Sequence, residues 1–480
     1  MHERLRRPLL VATAVVLLVW SVPPVRTAAQ SPDTRVDALF ARWTRETPGC
    51  AVGVGVGGRE VLARAYGMAD LEHDVPNTAD TIFEAGSVSK QFTAAAVLAL
   101  VQDGRLSLDD PVRTYVPELP DYGAPLTIRH MLTHTSGLRD WGSLAGIAGW
   151  PRGDRMHTHA HVVDILSRQT ALNFTPGTRW SYSNSGYNLA AVIVSRASGM
   201  SFAEFSRVRL FEPLAMTSTS WRDDFTRIVP KRAIAYATGR GGGGYRLDMP
   251  FENVHGNGGL LTTVGDLLKW NEHYDRPSAT DAPRVRLQHQ PAKLSNGTTL
   301  EYAYGLYVRP YKGVPEVSHS GSTAGYRAFL TRFPDQHVSV AVLCNAGNAN
   351  ATGLAHAVSD IYLGDRIDEN APRPAAIPET RGPIAGLGRD ASYAPSATDL
   401  SAFTGVYTSA EVETTLTVEL RDGQLVITAR PDRVVPLRPH APDRFDAPGL
   451  GLVTFRREGG AVTELGITQD RVWDLRFGRR

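Results

Sequence analysis

Residues 85–102, AGSVSKQFTAAAVLALVQ, carry the clearest indication of the fold, and they open on the tetrapeptide SVSK at 87–90. Residues three apart share one face of a helix, so the Lys90 amine comes within reach of the Ser87 hydroxyl. Apolar side chains cover most of the circumference of the segment after Lys90, and Gly104 comes just after it, which predicts a buried helix from residue 87 to residue 102. The positive end of that helix favours an oxyanion and an unprotonated amine.

Two shorter patterns could complete a hydrolytic site. Tyr182 and Asn184 stand two residues apart in WSYSNSGYN, on a turn that leads into a predicted helix. A phenol near an amine can relay protons, although a lone loop tyrosine is more often an aromatic plug. His319 and Gly321 lie in HSGS within a predicted strand, where glycine lets a substrate backbone approach closely. A solvent-facing edge histidine is the alternative there.

The first 29 residues are expected to form a secretory signal peptide. Three arginines precede an apolar stretch at 9–22, and the small residues Thr27, Ala28 and Ala29 come after it. The apolar run is shorter than the ~20 residues that a membrane-spanning helix needs. We therefore expect an exported protein, periplasmic or secreted, with a cleaved signal peptide and no stable membrane anchor.

Composition narrows the function classes. The chain has 480 residues, 42% of them hydrophobic, which is typical of two or three globular domains. A formal net charge of +2 argues against electrostatic recruitment of nucleic acid or an anionic membrane. Cys50 and Cys344 are too few for a disulfide-built scaffold, but an exported protein could join them in one bridge.

The pattern of elements predicts an α+β domain and, after it, a small antiparallel β-barrel. Helices are expected at 34–44 and 352–363, a hairpin at 50–65 turning at Gly57 and Gly58, and four strands between 304 and 345. Five prolines between 369 and 396 indicate an interdomain linker, which we place at 366–396. About eight strand-type segments fill 397–480 and favour a barrel.

Together these motifs resemble those of the serine β-lactamases and penicillin-recognising hydrolases. The resemblance extends over residues 33–365, and its branch contains class C β-lactamases, D-Ala-D-Ala carboxypeptidases, D-aminopeptidases and related esterases. The family motifs Ser-x-x-Lys, Tyr-x-Asn and Lys/His-x-Gly correspond here to SVSK, YSN and HSG. The segments TIRHMLTHTSGL, GNGGLLTTVGDLLKW and GSTAGYRAFLTRFPD add to it. The C-terminal segment looks like the lipocalin-like barrels attached to some of these peptidases.

The resemblance implies a catalytic role for each motif. Ser87 would be the acylated nucleophile, with Lys90 and Tyr182 sharing the work of the general base. Asn184 would hold Lys90 and the substrate amide. The backbone N–H groups of Ser87 and Ser322 would form the oxyanion hole.

The triad strand would bind the end of the substrate. His319, Ser320 and Gly321 are the residues implied. His319 departs from the lysine that β-lactamases of this branch usually carry, and a neutral imidazole anchors a carboxylate less strongly. That departure disfavours a β-lactamase and favours the peptidases and esterases.

Three further expectations concern residues outside these motifs. In the family sheet the first and last long strands are neighbours, which implies a possible disulfide between Cys50 and Cys344. His157, His159 and His161 could suggest a metal site, but Thr158 is typical of a helix N-cap and no carboxylates complete the set. We expect no metal, no cofactor and no catalytic group beyond the linker.

The function expected first is a carboxypeptidase or aminopeptidase for D-amino-acid peptides. A small-ester hydrolase or a weak β-lactamase comes second. A catalytically silent binding or regulatory protein of the same fold is the third alternative. The expected partner is a small-molecule or peptide substrate, not nucleic acid, and no oligomeric state is predicted.

Overall fold

The computed structural model describes residues 31–372 and 388–480. The expected signal peptide at 1–29 lies outside the described residues, and so does the middle of the expected linker, 373–387. The predicted α+β class and the C-terminal antiparallel barrel are confirmed. In the two described ranges, no helix combines the length and the apolar character that crossing a bilayer requires.

Helices form much of the first domain. The α-helices in the described part of the chain are α1 (Pro32–Phe40), α2 (Ser89–Gln102), α3 (Ile128–Leu132), α4 (Trp141–Ile147), α5 (His159–Ser167), α6 (Ser185–Ser198), α7 (Phe202–Ser206), α8 (Val264–Asp275), α9 (Ala282–Gln288), α10 (Ala351–Leu363) and α11 (Ala397–Ser401). The prediction of a helix to residue 44 is wrong at its end. The Thr44 N–H donates to the Thr47 hydroxyl instead of continuing the helix.

The predicted buried helix is α2. Its residues 89–100 are all buried, which explains why apolar and small side chains surround it. It begins two residues later than predicted because Gly86–Val88 forms a 3-10 turn ahead of it. Ser87 therefore lies on that turn, at the entrance of the helix.

A six-stranded antiparallel sheet forms the centre of this domain. Its strands are β1 (Cys50–Val56), β2 (Arg59–Tyr66), β10 (Tyr307–Tyr311), β11 (Val314–Thr323), β12 (Tyr326–Phe333) and β13 (Val338–Cys344). Their spatial order is β10-β11-β12-β13-β1-β2, and the β1–β2 hairpin is as predicted. Cys50 lies opposite Cys344 in the β1–β13 register, and a disulfide joins the two residues.

Helices cover both faces of the sheet, which is why its inner strands are continuous apolar runs. On β1, Val52 and Val54 point to one side and pack in a core with Phe40 of α1 and Val358 of α10. Ala51 points to the other side and belongs to the core of the helical part. Side chains two residues apart on a strand share a face, so β1 separates two cores.

Two short strand pairs and one three-stranded sheet tie the loops of the helical part together. They are β3 (Met68–Asp70), β4 (Val75–Pro76), β5 (Phe83–Glu84), β6 (Ser220–Trp221), β7 (Tyr236–Thr238), β8 (Tyr245–Leu247) and β9 (Leu260–Thr262). β9 pairs with β5, immediately before the turn that carries Ser87. This pairing brings the loop at 256–259 beside the start of α2.

Nine strands build the C-terminal barrel, one more than predicted. They are β14 (Gly405–Ser409), β15 (Thr414–Arg421), β16 (Gln424–Ala429), β17 (Arg433–Pro436), β18 (Arg438–Ala441), β19 (Arg444–Ala447), β20 (Gly451–Glu458), β21 (Ala461–Thr468) and β22 (Leu475–Arg479). The order β17-β16-β15-β14-β22-β21-β20-β19-β18 is nearly closed, since only Leu437 separates the two terminal strands in sequence. Phe403, Phe445 and Phe455 pack inside it.

Candidate active site

Ser87 lies on a turn that packs directly against β11. Gly86 has a φ of 51°, and a Cβ atom there would lie 2.6 Å from the backbone nitrogen of Ser322. A Cβ on Gly321 would lie 2.0 Å from the Ala85 carbonyl oxygen. Glycine at both positions lets the two backbones touch. The close approach places the backbone nitrogen of Ser322 beside the Ser87 turn, where the family resemblance implies an oxyanion hole.

The Lys90 side chain is buried against three oxygen atoms. Its Nζ lies 3.1 Å from Ser87 Oγ, 2.9 Å from Asn184 Oδ1 and 2.7 Å from the Asn257 carbonyl oxygen. Burial holds the pKa of Lys90 well below its ordinary value, with a further lowering by the positive charge of Arg471. A neutral amine donates to Asn184 and Asn257 and keeps its lone pair for the Ser87 proton.

Tyr182 packs over the same amine. Lys90 Nζ lies 4.8 Å from the centre of the Tyr182 ring. Burial raises the pKa of the Tyr182 phenol far above its ordinary value, more strongly than a hydrogen bond with Ser87 lowers it. The phenol therefore keeps its proton at neutral pH and can donate it, whereas Lys90 is the group that can accept one.

Two residues position the Tyr182 segment. The backbone N–H of Asn184 donates to Asp140 Oδ2 at 2.8 Å, and the N–H of Ser183 donates to His134 Nδ1 at 3.2 Å. The His134 ring lies 4.2 Å from the Tyr182 ring, measured between centres. His134 belongs to TIRHMLTHTSGL, whose family resemblance implied no role for it, and the structure shows that it supports Tyr182.

His319 is buried, not the solvent-facing edge histidine of the alternative. Its Nδ1 donates to the Ser320 carbonyl oxygen at 2.6 Å, and its Nε2 accepts from the Tyr302 hydroxyl at 3.2 Å. A neutral imidazole satisfies both contacts at once. Burial and the neighbouring Lys90 lower the pKa of His319 to about 3. The expected neutral imidazole is therefore present, with both ring nitrogens occupied.

The predicted site residues surround one cavity of about 510 Å³. All of them except Lys90 line this cavity, and Lys90 lies behind Ser87; the Ser320 and Ser322 side chains are exposed along β11. The structure thus brings all of them together: Ser87, Lys90, Tyr182, Asn184, His319, Ser320, Gly321 and Ser322. Their individual roles remain predictions.

The barrel also contributes a residue to this cavity, although no catalytic group was expected beyond the linker and none of the predicted motif residues lies there. Arg471, in the loop between β21 and β22, lines the cavity, and its Cζ lies 4.8 Å from the centre of the Tyr182 ring. Its carbonyl oxygen accepts from the Asp140 N–H at 3.1 Å. No catalytic motif surrounds Arg471, so the sequence offered no signal for it.

The histidine cluster has structural contacts. The Thr158 hydroxyl accepts from the His161 N–H, so the predicted N-cap of α5 is confirmed. His159 Nε2 contacts the His255 carbonyl oxygen at 3.0 Å. Within the described ranges, the one group of potential metal ligands close enough to share an ion is Asp70, Glu72 and His73, at the surface and far along the chain from this trio.

Comparisons with known proteins agree with this geometry. The beta-lactamase family model matches residues 33–363. Penicillin-binding protein 4* of Bacillus subtilis (strain 168) is 31% identical over 310 residues, which cover 60% of this chain and 66% of that protein. D-aminopeptidase of Brucella canis is 30% identical over 313 residues, covering 64% of this chain and 58% of that protein. The matches thus span less than two thirds of both relatives.

A solved structure extends the likeness to the barrel. The octameric penicillin-binding protein homologue from Pyrococcus abyssi superposes with a TM-score of 0.60 and 24% sequence identity. The superposition covers 93% of this chain and 98% of that one. At this identity the likeness establishes the fold alone.

Proposed function

The chain belongs to the beta-lactamase family, and we propose that it is a serine hydrolase that cleaves amides or peptides of D-amino acids through an acyl-enzyme. The single observation that carries this proposal is the environment of Lys90. A buried, neutral amine whose Nζ lies 3.1 Å from Ser87 Oγ can act as a base for that hydroxyl. A silent binding protein would have no need to keep an uncharged lysine there.

The proposed reaction proceeds in two halves. Lys90 takes the Ser87 proton as Oγ forms a bond to the substrate carbonyl carbon, and the oxyanion is held by the N–H groups of Ser87 and Ser322. The tetrahedral intermediate breaks its bond to the leaving amine, which receives a proton from Tyr182, and Lys90 returns a proton to that phenol. Water then attacks the acyl carbon while Lys90 takes its proton. The second tetrahedral intermediate breaks its bond to Ser87 Oγ, which receives that proton from Lys90, and the acid is released.

Two observations support a D-amino-acid substrate over a β-lactam. One similar relative is a D-aminopeptidase. The neutral, fully engaged His319 offers no cation where a β-lactam carboxylate would lie. We infer that the site favours D-amino-acid amides and peptides.

The test is hydrolysis of paired D- and L-alanine p-nitroanilides and N-acetylated D- and L-dipeptides by the purified protein. We expect cleavage of D-substrates only, and a fall in kcat/KM of about 10³-fold or more in Ser87→Ala. Ser401→Ala, an exposed barrel serine, is the matched control and should keep full activity. Preference for the L-series, for simple esters or for cephalosporins would overturn the substrate assignment, and no hydrolysis at all would favour the silent alternative.

We also propose that the protein acts outside the cytoplasm. The N-terminal charge and hydropathy pattern supports export, and a disulfide such as Cys50–Cys344 forms and persists in oxidising compartments. N-terminal sequencing of the protein from a periplasmic or culture fraction should find the mature chain starting near residue 30. A full-length chain confined to the cytoplasm would contradict the proposal.

A further inference from the structure

A second cavity lies between the catalytic domain and the barrel. Its volume is about 320 Å³. Helices α4 and α5 and the loop between them form one side, and Val412, Glu413 and Arg430 of the barrel form the other. Among the described residues, it shares no lining side chain with the cavity at Ser87. We call this space the interdomain cavity.

Direct contacts between the two domains hold the walls of the interdomain cavity together. The Thr414 hydroxyl of the barrel donates to the Ala148 carbonyl oxygen at 3.3 Å. A Cβ on Gly149 would lie 2.5 Å from the Arg430 carbonyl oxygen, so glycine lets these two backbones touch. The shape of the cavity is therefore set by both domains.

The buried His157 side chain lines this cavity without a hydrogen-bond partner. It is only 2% exposed, and neither ring nitrogen forms a hydrogen bond with the described residues. Its ring packs on Trp141 and His161, at 5.2 and 6.2 Å between ring centres. Burial lowers the pKa of His157, more strongly than Glu252 and the Trp150 backbone raise it. The ring is therefore neutral at neutral pH, with one nitrogen as a donor and the other as an acceptor.

A buried imidazole of this kind destabilises the folded protein unless something else satisfies it. Buried polar atoms in native proteins nearly always have a partner, and an orphaned one indicates a group that enters from outside the chain. The cavity beside His157 is where such a group can lie.

Positive charge prevails in the lining of the interdomain cavity. Three arginines line it, against one aspartate and one glutamate, and both of these carboxylates pair with Arg168. The other two arginines, Arg155 and Arg430, lie over the Trp150 ring, with Cζ atoms 5.3 and 5.6 Å from its centre. Arg155 Nη2 also contacts His161 Nε2 at 3.5 Å. None of these contacts brings a carboxylate of the described residues to Arg155 or Arg430, so the lining keeps a net charge of one cation.

The remainder of the lining is apolar. The aliphatic side chains there are Leu144, Ala145, Ala148, Ile165 and Val412. Trp150 adds an aromatic surface that is 36% exposed. A matching ligand has an apolar body for these side chains and a negative end for the arginines. A carboxylate is suited to that end, because its oxygens accept from guanidinium groups and from the N–H of a neutral imidazole.

We propose that the interdomain cavity binds a small organic carboxylate with an apolar side group, and that His157 and the arginines over Trp150 bind its carboxylate. The inference does not rest on the proposed function, because the cavity is separate from the acyl-transfer site. The acid released by the proposed hydrolysis belongs to this class of ligand, and unrelated carboxylic acids share its chemistry.

The first test is isothermal titration calorimetry of the full-length protein with three ligands of one shape. Phenylacetate is the anion, phenylacetamide is neutral and 2-phenylethylammonium is the cation. We expect phenylacetate to bind about 10-fold or more tightly than the amide, and the cation to bind weakest. Equal affinity for the anion and the amide, tighter binding of the cation, or no binding of phenylacetate would overturn the inference.

Two further acids identify the source of the ligand. N-acetyl-D-phenylalanine and its L-enantiomer carry the same carboxylate and the same apolar side group. Preference for the D-acid would support binding of the enzyme's own product. Equal affinities would support a site for carboxylic acids in general, and failure of both acids together with phenylacetate would overturn it.

Variants locate the binding in the interdomain cavity. His157→Phe keeps an aromatic ring and removes both nitrogens, and we expect it to weaken phenylacetate binding by about 10-fold or more. Arg430→Gln removes one lining charge and should have a similar effect. Arg438→Gln, at an exposed barrel arginine outside the cavity, is the matched control and should bind as the wild type does. Wild-type affinity in both His157→Phe and Arg430→Gln would show that the ligand binds elsewhere.

Thermal unfolding separates a ligand-binding histidine from a structural one. Without ligand, His157→Phe and His157→Leu should unfold at or above the wild-type Tm, because an unpartnered imidazole contributes no hydrogen bond to the folded state. Phenylacetate should raise the Tm of the wild type with concentration and leave that of both variants nearly unchanged. A Tm lowered by several degrees in both ligand-free variants would show that His157 is satisfied within the fold, for instance by bound water, and would overturn the inference.

Discussion

The Lys90 amine lies among three oxygen atoms, and no carboxylate of the described residues forms an ion pair with it. A buried ammonium without a counter-ion is costly, so the folded protein stabilises the neutral amine. As pH falls through the lowered pKa, the amine gains a proton and can no longer accept one from Ser87. Activity is thus present above that pKa and lost below it.

Lys90→Arg places a cationic side chain at the same position, but it should abolish acylation. A guanidinium stays protonated and therefore cannot act as a base. We expect the second-order rate of acylation to fall by about 10³-fold or more. The measurement is stopped-flow acylation by a chromogenic D-amino-acid amide. Lys293→Arg, at an exposed position, is the matched control. Turnover by Lys90→Arg within tenfold of wild type would show that a neutral amine is not required.

His319 should not contribute a limb to the pH profile of kcat/KM. Its pKa of about 3 keeps the imidazole neutral through the range where an ordinary histidine titrates. His319→Gln should therefore change the height of the profile but leave its acid limb at the same pH. A limb near neutral pH that disappears in His319→Gln would mean that His319 is protonated in the working enzyme.

Among the site residues, local motifs were predictable and distant contacts were not. Ser87 and Lys90 are one helical turn apart, and Tyr182 and Asn184 share one turn, so their relation follows from backbone geometry. The Asn257 carbonyl and Arg471 reach the site only through tertiary packing. A backbone carbonyl has no residue signature, and an arginine among 46 does not stand out.

Among the elements, the contact between β11 and the Ser87 turn sets the geometry of the proposed oxyanion hole. The contact is backbone to backbone, because residues 86 and 321 are both glycine. It brings the backbones of two segments that are distant in sequence into contact, and with them the N–H groups proposed to hold the oxyanion. Such preorganised donors are a large part of catalysis in acyl transfer.

Gly321→Ala should separate these elements, since its Cβ would lie 2.0 Å from the Ala85 carbonyl oxygen. We expect a loss of about 1–3 kcal/mol in unfolding free energy from the overlap. Misplaced N–H groups should also slow acylation by about 10²-fold. Gly478→Ala has no atom within 4 Å of the new Cβ and serves as the control. The measurements are the free energy of unfolding in denaturant and the acylation rate. If both keep their wild-type values in Gly321→Ala, the close contact between these backbones is wrong.

Element types were more predictable than their ends. The strands from residue 304 to residue 345 and the barrel strands follow from alternating apolar runs between turns. The end of α1 did not follow, because the Thr44 and Thr47 side chains compete for backbone groups that a helix would use. The turn before α2 is tighter than predicted because Gly86 packs closely on β11, and this tertiary contact cannot be read from the local sequence.

Across the whole molecule, the barrel is joined to the catalytic domain by buried polar contacts. Arg139 donates to Glu411 Oε2 at 2.6 Å, with only 3% and 11% of the two side chains exposed. Arg139 also donates to the carbonyl oxygens of Trp473 and Asp474, near Arg471. Arg139 precedes Asp140, which holds the backbone of Asn184. The domain interface and the active site are therefore parts of one hydrogen-bonded network.

Glu411→Gln should destabilise this interface, because it leaves the buried Arg139 charge without its carboxylate. We expect a loss of about 3 kcal/mol in unfolding free energy. Glu413→Gln, two residues away and 68% exposed, should cost less than about 1 kcal/mol. Thermal unfolding of both variants decides the matter, and equal effects of the two substitutions would contradict a structural role for the buried pair.

Intact-mass spectrometry after incubation with a fluorophosphonate shows whether Ser87 is the acylated nucleophile of this molecule. We predict one adduct per chain on the wild type, located on Ser87 by peptide mapping and absent from Ser87→Ala. Labelling of Lys90→Arg should be strongly slowed, since the probe requires the same activated hydroxyl. An adduct that persists in Ser87→Ala, or that maps to another serine, would contradict the assignment of Ser87 as the nucleophile.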